Sequence, residues 1–475
     1  MTRVALVLLD YLPAKGPGIL TNYLRISGYE AELFFALDKD FLFKLTDFAP
    51  NLLGLSLTSG KVDSGVRLAD WAKSLFQGLY IVAGGPHPTF VPEIVCNSKI
   101  DFVVRGEGEI SLVELCKAIS QGRTTFEDIP NLAWRDSKNN LHLEKLADPI
   151  QDLDTLPFPD WKPYFAKPKL AAFYRQGFST MTGRGCPYQC TYCYNYHLRN
   201  LYGKRRLIRS RSVENVMEEI NEAREQYDVL SIRYDDDDLC MNAEYLEKFT
   251  DASVKHKGLP FSCNAFPSNV NEKNAELLKK AGCFLVSIGL ESGDPIIREY
   301  VLGRKISDEQ ILYAARCLYK HGIKVETYSM FGIPGENMEK ALATWRLNKK
   351  ISPSFTPTSI FQPYPGTIVY ERLKNADLLA EANEKFVDSY FQETVIRDPA
   401  MKNLLAIQKL LQALLWLRIP EWLGKAFISL GDNFMYRFIF WGFYFAGQVV
   451  SKKLSLKNSI WFAWISRPKK WKAPL

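Results

Sequence analysis

The segment GRGCPYQCTYCYN places Cys186, Cys190 and Cys193 at the spacing C-x3-C-x2-C. Three soft thiolates so close together suit an iron–sulfur cluster or zinc. A structural zinc site closes with four ligands; no fourth cysteine lies close by, and His197 is the one near candidate. A cubane cluster held by three cysteines keeps one iron open to an outside ligand. That iron can chelate the amine and carboxylate of a methionine. The other six cysteines, Cys96, Cys116, Cys240, Cys263, Cys283 and Cys317, stand singly in apolar settings and read as buried thiols. One thiolate site without a disulfide pattern indicates a reducing, cytoplasmic setting. The N-terminus, MTRVALVLLD, reads as a strand and lacks the form of a signal peptide.

The elements that must position this loop fall into two series. In residues 1–125 the apolar runs 4–10, 31–37, 52–57, 79–85 and 100–106 alternate with helical patterns such as 63–77 and 109–120. Apolar runs separated by helices indicate a parallel sheet covered on both faces. Five strands suggest a flavodoxin-like doubly wound fold with its ligand at the carboxyl ends of the strands. Residues 126–172 read as a linker, where FPDWKPYFAKPKL suits a strap laid across a surface.

Residues 173–398 resume the alternation in longer units. Strands are expected at 178–183, 229–234, 259–264, 284–291, 323–332 and 354–362, with helices near 213–227, 243–256, 272–281, 307–320 and 337–350. Six such repeats indicate a partial (β/α)6 barrel, whose chemistry belongs at the C-terminal strand ends. The cysteine loop follows the first of these strands. Residues 399–475 break the rhythm and read as a mainly helical region rich in aromatic and basic residues.

The spacing C-x3-C-x-aromatic-C, with Tyr192 as the aromatic, resembles the radical S-adenosylmethionine (SAM) superfamily. Downstream, IRYDDDDL (232–239), VSIGLESGD (286–294), MFGIPGE (330–336) and FQPYPGTIVYERL (361–373) extend the resemblance over about 200 residues. They are similar to the group related to the anaerobic magnesium-protoporphyrin cyclase and the hopanoid methylases. The resemblance implies a [4Fe–4S] cluster on Cys186, Cys190 and Cys193, reductive cleavage of SAM to a 5′-deoxyadenosyl radical, and a reductive electron donor such as flavodoxin or ferredoxin. It implies SAM contacts at Tyr192, Asp236 and Glu291, Tyr192 flanking the adenine or serving only as a packing aromatic. In one departure, Asp235–Asp238 replace the Gly-Gly-Glu that many relatives carry after the second strand.

A doubly wound domain before such a barrel resembles the cobalamin-binding domain of class B radical SAM enzymes, on the segments IVAGGPHPTF (81–90) and DFVVRGEGE (101–109). Gly84, Gly85, Gly106, Glu107 and Gly108 are the candidate contacts, because glycine lets backbone approach a large flat ligand; the bland alternative is a pair of tight turns. The D-x-H-x-x-G motif is absent, since Asp10 is followed by Tyr11–Lys15. The expectation is therefore base-off cobalamin without a histidine ligand, with the loop Thr58, Ser59, Gly60 and Lys61 facing cobalt.

The net charge of +7 belongs to the end of the chain. Residues 401–475 hold twelve Lys/Arg against Glu421 and Asp432, so the preceding 400 residues are net acidic. An acidic body with no recognition motif argues against nucleic acid. The aromatic stretch 435–450 is short for a membrane span. It suits peripheral membrane contact, with Lys452, Lys453 and 467–472 near anionic lipid, or else a helical cap over the barrel. Together these readings indicate a cobalamin-dependent methyltransferase acting on an unactivated carbon of a hydrophobic, lipid-like or natural-product small molecule. The alternative is a radical SAM cyclase, rearrangement or oxidation enzyme without methyl transfer.

Overall fold

The computed structural model describes residues 2–203, 207–379, 391, 393–452, 458 and 471. Seven strands form the first sheet: β1 (Arg3–Leu8), β2 (Glu30–Phe35), β3 (Leu52–Ser56), β4 (Tyr80–Gly84), β5 (Phe102–Val104), β6 (Leu132–Arg135) and β7 (Leu141–Leu143). Their order is β2-β1-β3-β4-β5-β6-β7, parallel through β5 and antiparallel beyond it. The first five thus have the flavodoxin-like order 2-1-3-4-5, whose reversal point between β1 and β3 opens a crevice at the carboxyl ends.

Side chains alternate across a strand, and β1 divides accordingly. Ala5 and Val7 join Leu53, Leu55, Ile81, Ala83 and Val103 in a core under the helix Val62–Leu75. Val4, Leu6 and Leu8 join Leu52, Val82, Phe102 and Val104 on the other face. That second core continues without a break into the barrel, through Leu112 and Leu115 to Phe178, Ile232, Phe261 and Val286.

The stretch 126–172 differs from a plain linker. It supplies β6 and β7, and its aromatic residues sink into the shared core instead of lying on a surface. Trp161 and Tyr164 are buried; the Tyr164 hydroxyl donates to Leu12 O at 2.9 Å and accepts from Ala14 N at 3.0 Å. Rings of this size are driven inside by their area, and the phenol needs the partners it finds there.

The second sheet runs β15-β14-β13-β12-β11-β8, all parallel. Its strands are β8 (Phe178–Thr180), β11 (Ile232–Tyr234), β12 (Phe261–Ala265), β13 (Cys283–Glu291), β14 (Lys324–Phe331) and β15 (Thr358–Ile360). Between β8 and β11 a small ladder, β9 (Gly183–Arg184) with β10 (Arg209–Ser210), clamps the start of the cysteine loop. The helices Val213–Tyr227, Ala243–Lys255, Glu272–Lys280, Asp308–Lys320 and Met338–Ile351 fall where the 3.6-residue pattern puts them.

Three helices follow: Met401–Trp416, Glu421–Ser429 and Phe434–Lys452. The first packs against β14, β15 and the helix Met338–Ile351, so this region buttresses the barrel's flank. Among the described residues no helix is long and apolar enough to cross a membrane. The side chains of Lys452 and Lys453, Trp461, Trp464 and the run 467–472 apart from Trp471 lie outside the described residues. Trp471 is buried against Trp71, with ring centroids 5.4 Å apart, and donates to Ala36 O at 3.2 Å.

Candidate functional site

The cysteine loop is held from both sides. Gly185, at φ +93°, passes so close to Leu207 that a Cβ would stand 2.4 Å from its carbonyl oxygen. Thr191 N donates to Leu302 O at 3.0 Å, and Arg199 Nη1 donates to Pro187 O at 2.6 Å. Cys193 caps the helix Tyr194–Tyr202. Burial pushes the Cys186 thiol up to about 12 and the Cys193 thiol up to about 11. Burial also raises Cys190, against the nearby Arg304. Protonated buried thiols become good ligands only as a metal displaces their protons.

His197 lies on this helix, but its Nε2 is 3.1 Å from Thr191 O and 3.3 Å from Ile368 N, donating to the first or accepting from the second according to its tautomer. The nitrogen that would complete a zinc site is therefore engaged by the backbone. Among the described residues no three His, Cys, Asp or Glu side chains converge on a single ion. A cubane does not require that convergence, because each of its cysteines binds a different iron.

Tyr192 and Glu291 come together. Burial raises the Glu291 carboxyl against the pull of Arg304 and of the Tyr192 hydroxyl, both of which favour its ionised form. Glu291 sits at φ +63°, just after a register shift between β13 and β14. That rare backbone conformation for a non-glycine residue, next to a bulge, re-aims a side chain. Arg304, unmarked in the sequence, sits among them. Its Nη1 lies 3.8 Å from Cys190 Sγ and 4.0 Å from Glu291 Oε1, its Nη2 donates to Gly289 O at 2.7 Å, and its guanidinium lies 4.6 Å from the Phe266 ring centroid.

The four aspartates after β11 have separate partners. Both oxygens of Asp236 accept from Thr182 N at 2.9 Å, and Oδ1 also accepts from Thr182 Oγ1 at 2.8 Å. Asp236 therefore fixes the turn before the cysteine loop. Asp238 takes Tyr188 and Asn269, and Asp235 takes Lys15, Arg233 and Ser179. Asp237 is the one beside the cysteines: it accepts from Asn195 at 2.7 Å, and burial with the neighbouring aspartates pushes it up to about 6.

A cavity of about 460 Å³ lies between the two sheets, within the usual size for a small-molecule site. Gly84, Gly85, Gly106, Glu107 and Gly108 line it from one side, and Cys186, Asn195 and Asp237 from the other. Leu6, Leu20, Val82, Val104 and Leu112 give it an apolar wall. A Cβ at Gly84 would meet nothing nearer than Val104 O at 3.8 Å, so the space over that strand end is open. Gly106, at φ +84°, instead packs under Tyr202, whose hydroxyl accepts from Glu107 N at 3.1 Å.

Two expectations for this side shift. The loop Thr58–Lys61 is not among the residues lining the cavity; Ser59 Oγ lies 3.1 Å from His87 Nδ1, and Lys61 lies 3.7 Å from Asp10. Glu107 lines the cavity, but its carboxylate ties the halves together through Arg209 at 2.5 Å and Arg184 at 3.3 Å. Burial opposes ionisation, yet these two arginines hold Glu107 below its ordinary range. Arg184 also reaches Glu109 at 2.7 Å. Arg184 and Arg209 could not be singled out among the chain's 60 Lys/Arg; a position two residues before the first site cysteine was the only signal.

Residues 4–116 match the B12 binding domain family and residues 180–347 the Radical SAM superfamily. An uncharacterized methyltransferase of Pyrococcus horikoshii is 30% identical over 401 residues, 82% of this chain and 83% of that protein. The chain belongs to the cobalamin-binding, class B radical SAM family. The anaerobic magnesium-protoporphyrin IX monomethyl ester cyclase of Rubrivivax gelatinosus is 25% identical, over 76% of this chain and 66% of its own. The radical SAM methyltransferase TsrM of Kitasatospora setae, solved with cobalamin and a [4Fe–4S] cluster, superposes with a TM-score of 0.65 at 21% identity, over 81% of this chain and 76% of that one. It shares the fold. The cofactors of this class B radical SAM enzyme are a [4Fe–4S] cluster, SAM and cobalamin. The residues present fit them: three free thiols in one loop for the cluster, Cys190 buried and Cys186 and Cys193 half-buried, and an open glycine strand end facing an apolar cavity for a flat corrin.

Proposed function

We propose that this chain is a cobalamin-dependent methyltransferase that modifies an unactivated carbon of a small, largely apolar substrate, with the cluster on Cys186, Cys190 and Cys193. When bound, the cofactors supply a reductively generated 5′-deoxyadenosyl radical and a transferable methyl group. The observation that carries the reading is a shared space: Cys186 and the glycines Gly84, Gly85, Gly106 and Gly108 line one cavity. Two groups that must act on one carbon need that proximity.

In this reading Gly84 and Gly85 would hold the corrin, and His87 would not be free to bind it. His87 is buried, pushed down to about 4 and directed at Ser59. Tyr192, Glu291 and Arg304 form the wall against which SAM is oriented, Asp237 and Asn195 border the cavity beside the cysteines, and the apolar wall excludes water. Electrons come from a flavodoxin- or ferredoxin-like donor, and the C-terminal helices face a lipid surface.

The test is product analysis of the anaerobically reconstituted chain with SAM, hydroxocobalamin and a reductant. S-adenosylhomocysteine formed alongside 5′-deoxyadenosine is expected. 5′-Deoxyadenosine alone would replace methyl transfer with cyclisation or oxidation, the reading that the cyclase similarity favours. Replacing all three cysteines by Ala is expected to abolish cluster absorbance and SAM cleavage; retained cleavage refutes the site.

A further inference from the structure

Large apolar side chains left in water concentrate at one place. Trp422, Leu430, Phe434, Met435 and Phe438 are each 64–72% exposed, within 17 consecutive residues. Phe434, Met435 and Phe438 share a face of the last helix, Phe434 and Phe438 edge to face at 4.6 Å. The opposite face is used: Tyr436 and Phe440 are buried, and the Tyr436 hydroxyl donates to Phe427 O at 2.7 Å, fixing this helix to Glu421–Ser429. The exposed aromatics therefore sit on a braced pair of helices. Exposed apolar side chains concentrated on two braced helices mark an interaction surface.

Its position follows from contacts at both ends of the helix. Asp432 N donates to Lys402 O at 3.0 Å, and the adjacent Met401 packs on Gly332, just past the carboxyl end of β14. At the far end, Lys324 Nζ, at the start of β14, donates to Val450 O at 2.6 Å. The helix runs antiparallel to β14. Its aromatic start therefore stands level with the carboxyl strand ends, the same end of the barrel as the cysteine loop.

The charge around the patch selects the partner. Glu421 and Asp432 are the only acidic residues from 401 onward, and both are paired: Glu421 with Lys425 and with Arg346, which also takes Glu339, and Asp432 with Lys409 and Arg437. Arg418, Lys425 and Arg437 are exposed in the same stretch of chain as the aromatic residues, and Asp432, shared by Lys409 and Arg437, leaves surplus positive charge there. Tryptophan and phenylalanine with flanking cations suit the interface of an anionic bilayer.

We propose that the turn joining the last two helices seats Trp422, Leu430, Phe434 and Phe438 in the headgroup layer of an anionic membrane, bringing the barrel's mouth end to the lipid surface. This rests on the reading of the C-terminal region as lipid-facing and not on methyl transfer. The test is flotation of the full, cluster-loaded chain with phosphatidylcholine vesicles, with and without phosphatidylglycerol. Binding to the phosphatidylglycerol vesicles is expected, weakened by high salt and lowered about tenfold or more in W422S/F434S/F438S. Cluster absorbance and SAM cleavage of that variant stay as in the wild type, which separates loss of docking from failure of the radical chemistry. Should the variant not fold, wild-type tryptophan fluorescence must still be quenched by bromine-labelled phosphatidylglycerol. Absence of flotation, undiminished flotation of the folded variant, or a wild-type dimer that the substitutions dissociate would overturn the proposal.

Discussion

The Lys15 ammonium lies 2.6 Å from Asp235 Oδ2, joining the helix after β1 to the carboxyl end of β11. Both residues line the cavity between the sheets, so this pair holds the walls of the site at a fixed separation. Asp235 is kept below the ordinary carboxylate range, against its burial, by Arg233 and Lys15. Removing Lys15 leaves a half-enclosed carboxylate short of a partner. Lys15→Ala is expected to cost about 3 kcal/mol in urea unfolding. Asp235→Ala in that background should recover part of the loss, a coupling of about 1 kcal/mol or more. Because Asp235 is depressed in the folded chain, the pair's contribution is present at neutral pH and disappears as acid protonates it. Additive single-mutant effects would show that the pair does not couple the halves.

Gly84 offers a direct probe of the cofactor cradle. Its Cβ direction is open, so Gly84→Leu is expected to fold with an unchanged melting temperature while filling the space over the strand end. Uptake of hydroxocobalamin, read from its visible absorbance after desalting, should be lost. Full uptake by the folded variant would move the corrin away from β4.

Arg304 places a cation 3.8 Å from Cys190 Sγ. A positive hydrogen-bond donor at a cluster thiolate favours the reduced cluster, since charge and hydrogen bonds to sulfur set its potential. Arg304→Gln is expected to lower the midpoint potential by on the order of tens of millivolts, measured by redox titration with electron paramagnetic resonance. An unmoved potential would confine Arg304 to packing against Phe266.

Glu336 sits in the loop after β14, where Oε2 accepts from Gly332 N at 2.7 Å and burial raises the carboxyl from 4.5 to about 8. The folded chain keeps this proton at pH values where the unfolded chain has released it. Stability therefore falls as pH rises between these two values, with a slope of at most about 1.4 kcal/mol per pH unit. Glu336→Gln should remove this dependence, making the variant relatively more stable at pH 8 than at pH 5. Parallel melting curves for the two proteins would locate the titration elsewhere.

Much of the site was legible because its signals are local. The cysteine spacing, the strand-end glycines and the 3.6-residue helical pattern lie within short stretches, and each maps onto its element. The aspartate run shows the limit. Four identical side chains in a row carry no mark of which faces the cysteines, and Asp236, the expected SAM contact, is spent on Thr182 while Asp237 borders the cavity. Likewise Thr58–Lys61 follows β3 as a ligand loop should, yet Ser59 meets His87 and Lys61 meets Asp10. The strap 158–170 looked superficial from its prolines and aromatic residues, but burial of Trp161 and Tyr164 outweighed them.

The sequence by itself determined the chemistry: three thiols at a cluster spacing, a doubly wound unit before a partial barrel, and a basic aromatic end. Tertiary structure alone decided what those parts share. Pairs such as Lys15 with Asp235, Arg184 with Glu107 and Glu109, and Arg304 with Cys190 join residues 75 to 220 positions apart. Such partnerships are set by how two sheets pack, because an ion pair or hydrogen bond requires approach in space and leaves no periodic trace along the chain.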